Sequence, residues 1–298
     1  VDPFCGEGIR HALETARRAA RIVAAGLRQG SSYAEMRGRY EAERLERWSA
    51  KRRLARWFRI VARRPELIDA ALTLLEDVGV AFDMESEAPS LFAAAGCDVA
   101  ADGVTRIRRE VVESALASTA RQARLWNRAG THSILLDCQH TWFFPGMTCI
   151  KVYDPETGAR RESTGADLAT ITRVADALPN IDGVCVACKD IPNSDIHGEI
   201  GEFAIMARNT IKPLEFLCEH AASFGVAIEM AAAIRGGRAA LAAKPYFLQI
   251  ITPLPVNYAG THVEQVILAA RSGVPASVGT LPIGGASSPI TVAGCIAQ

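Results

Sequence analysis

From about residue 132 onward, near-continuous apolar runs alternate with amphipathic stretches at helical spacing, and that alternation confines the chain to a parallel sheet covered by helices. The apolar runs fall at 183–188, 213–218, 246–251 and 275–280, with helical spacing at 195–208, 222–235 and 261–271 between them. Thr164-Gly165-Ala166-Asp167 has the form of a helix start, and the pattern behind it runs to Ala177, just before Pro179. The stretch 142–144 reads as a first strand, so about five β/α units are expected. Chain 132–153 reads as hairpin-like, and Asp154-Pro155-Glu156-Thr157-Gly158 as a turn. Eight such units close a TIM-type (β/α)8 barrel of ~250 residues. An open doubly wound sheet also accepts five strands, but the Gly-rich phosphate and dinucleotide signatures expected after its first strand are missing. The expected fold class is therefore α/β, an incomplete TIM-type barrel over residues 132–298.

Upstream the pattern is different. Residues 9–28 and 33–64 show helical spacing interrupted at Gly30-Ser31-Ser32, and 66–79 reads as a third helix stopped by Gly79. A short strand at 80–82, a helix from Ala88 to Ala95 and another from Glu110 to Ala117 complete a small α/β cap over 65–131. Residues 1–64 carry 16 Lys+Arg against 7 Asp+Glu, while 65–298 carry 17 against 26. Arginines such as Arg44, Arg47, Arg52 and Arg56 are spread along a helical pattern, so a solvated helix face is favoured and no nucleic-acid partner is expected.

No window approaches the ~20 uninterrupted apolar residues of a membrane span, and a cytoplasmic setting follows as the default. The 8 cysteines are scattered and read as reduced thiols. Cys185 and Cys188 form a C-x-x-C inside an apolar run with no second pair at zinc spacing, so a buried strand is favoured and no metal is expected. The chain begins with Val1 and stops at Gln298 within an apolar helical run, so a fragment of a longer reading frame is expected.

In a parallel barrel the reactive groups stand where strands end and helices begin. By that rule Lys189 and Asp190 follow one strand, and Glu215, Glu219 and His220 mark the next. Those last three are suited to proton handling or to holding a cation, and also read as ordinary rim polars. Thr252, Asn257 and Tyr258 follow, then Thr280 and the loop Gly284-Gly285-Ala286-Ser287-Ser288-Pro289. Small residues there admit close backbone approach, and Ser287 or Ser288 can cap the helix begun by Pro289. The loop suits an anion or the edge of a macrocycle, and equally a βα turn tuned for geometry alone. Trp142, Phe144 and Tyr258 offer ring faces to a quaternary ammonium, or pack under the cap.

Leu74-Leu75-Glu76-Asp77-Val78-Gly79-Val80, Ala94-Ala95-Gly96-Cys97-Asp98-Val99 and Leu125-Trp126-Asn127-Arg128 resemble the opening of trimethylamine methyltransferase-like proteins. Tyr153-Asp154-Pro155-Glu156-Thr157-Gly158, Ala175–Asp182 and Gly284–Gly294 are similar to further signatures of that family, in order. The resemblance covers about 66–298. It implies a TIM barrel that moves a methyl group from a methylated amine or betaine to a corrinoid (cobalamin) carried by a separate protein. On that basis Glu215, Glu219 and His220 are assigned to substrate orientation and catalysis. Trp142, Phe144, Gln249, Asn257 and Tyr258 are given to the substrate pocket, and Thr280, Gly284, Gly285, Ser287 and Ser288 to the corrinoid-facing loop. A homo-oligomer is expected. Some family members carry pyrrolysine, whose position would fall beyond Gln298.

Asp2-Pro3-Phe4-Cys5-Gly6-Glu7-Gly8-Ile9 and the helix after it resemble the second flavin-contact motif of geranylgeranyl-reductase-type FAD enzymes. The dinucleotide-binding portion is missing, so no stable FAD site is expected in residues 1–64. The two resemblances meet near residue 65, as a natural fusion or as a join between fragments. A flavoprotein fused to an inactive barrel and a degenerate binding module are the competing expectations.

Overall fold

The computed structural model describes residues 8–43, 65–137 and 139–280. The chain divides into two units, residues 1–71 and 72–298. In the first, helix α1 (Gly8–Gln29) ends at Gly30, whose φ of +67° lies in the left-handed region that favours glycine, and helix α2 occupies 33–43. Ser32 and Glu35 cap α2 reciprocally: the Ser32 N–H donates to the Glu35 carboxylate at 2.8 Å and the Glu35 N–H to Ser32 Oγ at 3.3 Å.

Helix α3 (Pro65–Asp77) stops at Gly79, as its sequence predicts. The Gly79 N–H donates to the Leu74 carbonyl at 3.0 Å, and φ is +83°. The cap then comprises β1 (Val80–Phe82), α4 (Ala88–Ala94), β2 (Asp98–Val99), β3 (Val104–Arg106) and α5 (Arg109–Ser118). Its strands pair antiparallel in the order β1-β3-β2 around a core of Val80, Cys97 and Ile107.

Two hairpins follow, β4 (Ala123–Trp126) with β5 (Ser133–Leu136), and β6 (Lys151–Tyr153) with β7 (Arg160–Glu162). The single hairpin expected over 132–153 is thus replaced by two flanking ones. The expected strand at 142–144 is not regular either. Chain 143–149 runs beside the first sheet strand, with one parallel bridge between Cys149 and Cys188. Pro145 has no N–H to give to a ladder, and Thr148 sits at φ +52°, so regular pairing is interrupted.

The principal sheet consists of β8 (Val184–Cys185), β9 (Leu214–Phe216), β10 (Phe247–Ile251) and β12 (Ala276–Val278), all parallel and in strict sequence order. A doubly wound sheet reverses its order at a switch point. Among the described residues there is no such reversal. Helix α6 (Gly165–Ala177) leads into β8, and α7 (Ile196–Asn209), α8 (Ala221–Arg235), α9 (Arg238–Ala243) and α10 (Gly260–Ser272) connect the strands; α9 has no counterpart in the sequence-based expectation. Strand β11 (Asn257–Tyr258), in the β10–α10 loop, leaves the principal sheet and pairs parallel with β1 of the cap.

The helix-facing core is aromatic. Phe203 meets Phe216 and Phe247 edge-on at 5.2 and 5.1 Å, and all three are fully buried. Each such side chain contributes about 2–3 kcal/mol through burial. The opposite face is covered by β4–β5, where Leu125 and Ile134 pack on Leu248. That hairpin is tied to the start of β9 and β10: the Arg128 N–H donates to the Ile211 carbonyl and the Trp126 N–H to that of Pro245. Hence it closes the amino end of the sheet and leaves the carboxyl end for chemistry.

Candidate active site

Strand register decides which side chains can meet. Cys185 is opposite Glu215, which is opposite Leu248, so these three share the face covered by β4–β5. Phe216 and Gln249 are register partners one residue on and point into the helices. Glu215 therefore stands in an apolar layer with Leu248 and Ile250 as neighbours, and no hydrogen-bond or ion-pair partner is found for it among the described residues. Burial alone pushes its carboxyl up to about 7. The Cys185 thiol beside it, which donates to the carbonyls of Pro145 and Gly146, is pushed up to about 12, first by burial and then by Glu215.

The structure does not bring Gln249 to this layer. Its side chain is fully buried on the other face, where Nε2 donates to Gln265 Oε1 at 2.9 Å, and Gln265 in turn donates to the carbonyls of Cys218 and Glu219. Period-two alternation makes it a strut beneath the loop after β9 rather than a pocket wall.

Glu219 and His220 lie in that loop, at the carboxyl end of the sheet, and both are held by a residue the sequence pattern did not single out. Glu199 of α7, 4% exposed, accepts the Glu219 N–H at 2.7 Å and faces His220 Nδ1 at 3.1 Å. Three residues along the same helix, Glu202 is 1% exposed, pairs with Lys189 Nζ at 2.9 Å and accepts the Asp190 N–H at 2.8 Å. Burial raises the Glu202 carboxyl; the Asp190 N–H and the Lys189 ammonium oppose it without prevailing. The signal for both acids was present as a spacing of three on the same helix face as Phe203 and Met206.

Of the three aromatics, Trp142 and Phe144 pack in one apolar cluster with Leu248 and Ile250, whereas Tyr258 belongs to the cap cluster. Trp142 donates its indole N–H to the Leu135 carbonyl at 2.8 Å, and Phe144 packs over Gly183 at the amino end of β8. Tyr258 meets Phe82 of the cap in a tilted ring contact at 5.5 Å and lines an apolar cavity of 510 Å³ with Leu75, Phe92, Val263 and Ile267. Asn257 is exposed in β11. Loop and strand ends scatter these residues because β11 joins the cap sheet, which sequence spacing does not reveal. Thr280 is exposed after the edge strand, and Gly284, Gly285, Ser287 and Ser288 lie outside the described residues. Cys188 packs in the helix-side core while Cys185 faces the other way, so the C-x-x-C spans a buried strand with its thiols apart. No group of three His, Cys, Asp or Glu that could hold a metal ion occurs among the described residues. Nor is any described helix long and apolar enough to cross a membrane.

The family model for trimethylamine methyltransferase matches residues 30–298, and the chain belongs to that family. It is 29% identical over 232 residues to a trimethylamine methyltransferase of Desulfitobacterium hafniense, covering 76% of this chain and 46% of that protein. It is 26% identical over 239 residues to the enzyme of the same name from Methanosarcina barkeri, covering 76% and 47%. The Methanosarcina thermophila protein is 25% identical over 236 residues, at 76% and 48%. The chain thus spans about half the length of the curated relatives it matches. The family match begins at residue 30, inside the segment likened to a flavin reductase, and that second resemblance has no support from any comparison.

Proposed function

We propose that this chain forms part of a methyltransferase that takes a methyl group from a methylated or quaternary amine and delivers it to a corrinoid carried by a separate protein. The sheet in this proposal is an arc of a TIM-type barrel over residues 132–298, topped by the cap of 65–131, in a cytoplasmic homo-oligomer. Family membership supports methyl transfer. The observation that carries the donor class is Glu215: a carboxyl in an apolar layer, without a counter-charge among the described residues. A methylated ammonium is bulky, apolar outside and positive inside, and suits that layer when Glu215 ionises.

The chemistry then needs little from the protein beyond alignment. A methylated ammonium loses its methyl group as a cation equivalent and departs as a neutral amine, so the donor's charge is lost in the transfer. Glu215 holds that charge, and the apolar neighbours exclude water. When bound, the partner's reduced cobalt supplies the nucleophile. Of the residues assigned to the corrinoid only Thr280, exposed after the edge strand, is among the described ones, and the role proposed for the described residues is with the donor. Glu219 and His220 frame the entrance in this scheme.

The protein in its natural reading frame, mixed with trimethylamine or glycine betaine and cob(I)alamin, is expected to form dimethylamine or dimethylglycine, read by proton NMR. Folded protein that forms neither product sinks the proposal. Glu215→Gln is expected to lower the rate about 100-fold, the scale of losing one placed charge.

A further inference from the structure

The loop after β9 is held from both sides. Glu199 takes its N–H groups, from Glu219 at 2.7 Å and from His220 at 3.4 Å. From α10, the Thr261 hydroxyl donates to the Glu219 carbonyl at 2.8 Å, and Gln265 Nε2 donates to the same carbonyl at 3.3 Å. With both main-chain polar groups of Glu219 engaged, packing rather than solvent sets the direction of the next side chain. Burial works to raise the Glu199 carboxyl, but hydrogen bonds from Ser223, the Glu219 N–H and His220 outweigh it and hold it below the usual carboxylate range. An ionised carboxylate only accepts, so the ring nitrogen 3.1 Å away, Nδ1, must carry the hydrogen. The other nitrogen of a neutral ring is then a bare acceptor, on a side chain 48% exposed at the carboxyl end of a parallel sheet.

We propose that Glu199 is a positioning residue that fixes His220 as its Nδ1–H tautomer, and that Nε2 accepts the N–H of a protonated tertiary methylamine. The second half rests on the donor class proposed above. A quaternary ammonium has no N–H to give, so this contact separates the two kinds of methyl donor.

Imidazole nitrogen-15 NMR, with His220 assigned through His220→Gln, tests the first half. Protonated Nδ1 and bare Nε2 are expected in the unaltered protein. In Glu199→Gln an amide N–H faces the ring in place of the carboxylate, so the tautomer is expected to switch to Nε2–H. An Nε2–H ring in the unaltered protein, or no switch in folded Glu199→Gln, overturns the positioning role. Titration calorimetry tests the second half: His220→Leu, which leaves no acceptor, is expected to weaken trimethylammonium roughly tenfold and leave tetramethylammonium unchanged. Equal loss for both cations, or loss for neither, overturns the ligand role. If the unaltered protein binds neither cation, the donor class itself is wrong and the ligand role falls with it, while the tautomer result still decides the role of Glu199.

Discussion

Glu215 is a carboxyl group whose neighbours are Leu248, Ile250 and Cys185, and its chemistry follows from that company. Below about 7 it is protonated and neutral; above, it is a half-buried anion in apolar surroundings. A methylated ammonium binds only the anion, so its affinity is expected to rise about tenfold per pH unit up to that point and then level off. Calorimetry between pH 5.5 and 8.5 checks this, and Glu215→Gln should bind weakly with no such slope. A flat profile in the unaltered protein would mean that Glu215 does not hold the donor. The residue type and its place near a strand end are visible in the sequence. Its isolation is not, because the apolar layer opposite comes from Leu125 and Ile134, roughly 80–90 positions away in the chain.

Helix α7 shows how one element sets the carboxyl end of the sheet. Its start is written locally: Asp195, expected as the first helical residue, stands just outside as the N-cap and accepts the Gly198 N–H at 2.9 Å. A Cβ at Gly198 would collide with the Asn193 carbonyl oxygen, whereas one at Gly201 would meet nothing within 4 Å. Gly198→Ala is therefore expected to cost about 3 kcal/mol and to disturb the loops that Glu199 and Glu202 hold. Gly201→Ala in the same helix should stabilise by about 0.5–1 kcal/mol. Urea unfolding of the two variants checks both signs. At the start of α6, Asp167 accepts the Thr164 N–H and hydroxyl at 2.9 and 2.8 Å and is gripped by both terminal nitrogens of Arg161. Arg161 first, and Thr164 after it, hold the Asp167 carboxyl far below the usual range. Its contribution is thus complete above the ordinary aspartate pKa and is lost as pH falls below it. Asp167→Ala is expected to cost about 1–2 kcal/mol at pH 7 and markedly less in strong acid, read by unfolding at the two pH values.

At the scale of the whole molecule, Glu215 opposes stability. Its folded-state pKa, about 7, lies above the unfolded value of 4.5, so the native state binds more protons between these limits and stability falls as pH rises through them. Replacing the carboxyl by an amide removes that slope. Glu215→Gln is expected to match the unaltered protein near pH 4.5 and to exceed it by about 2–3 kcal/mol at pH 8, while losing donor binding. Equal stability at pH 8, measured by chemical unfolding, would show that the apolar surroundings do not penalise the ionised carboxyl.

Local chemistry alone decided a good deal about this protein. Helical spacing and caps placed α6 from Gly165 to Ala177, Gly79 as a stop, and the alternation of apolar runs with helices that yields a parallel sheet. These are choices made within a turn or two of chain, where a residue's neighbours in sequence are also its neighbours in space. Tertiary structure decided the rest: that Gln249 faces away from Glu215, that Tyr258 joins the cap rather than Trp142, and that two acids on α7 brace loops 12 to 21 residues away. Strand register and burial settle those matters, and each arises only when distant segments exclude water together.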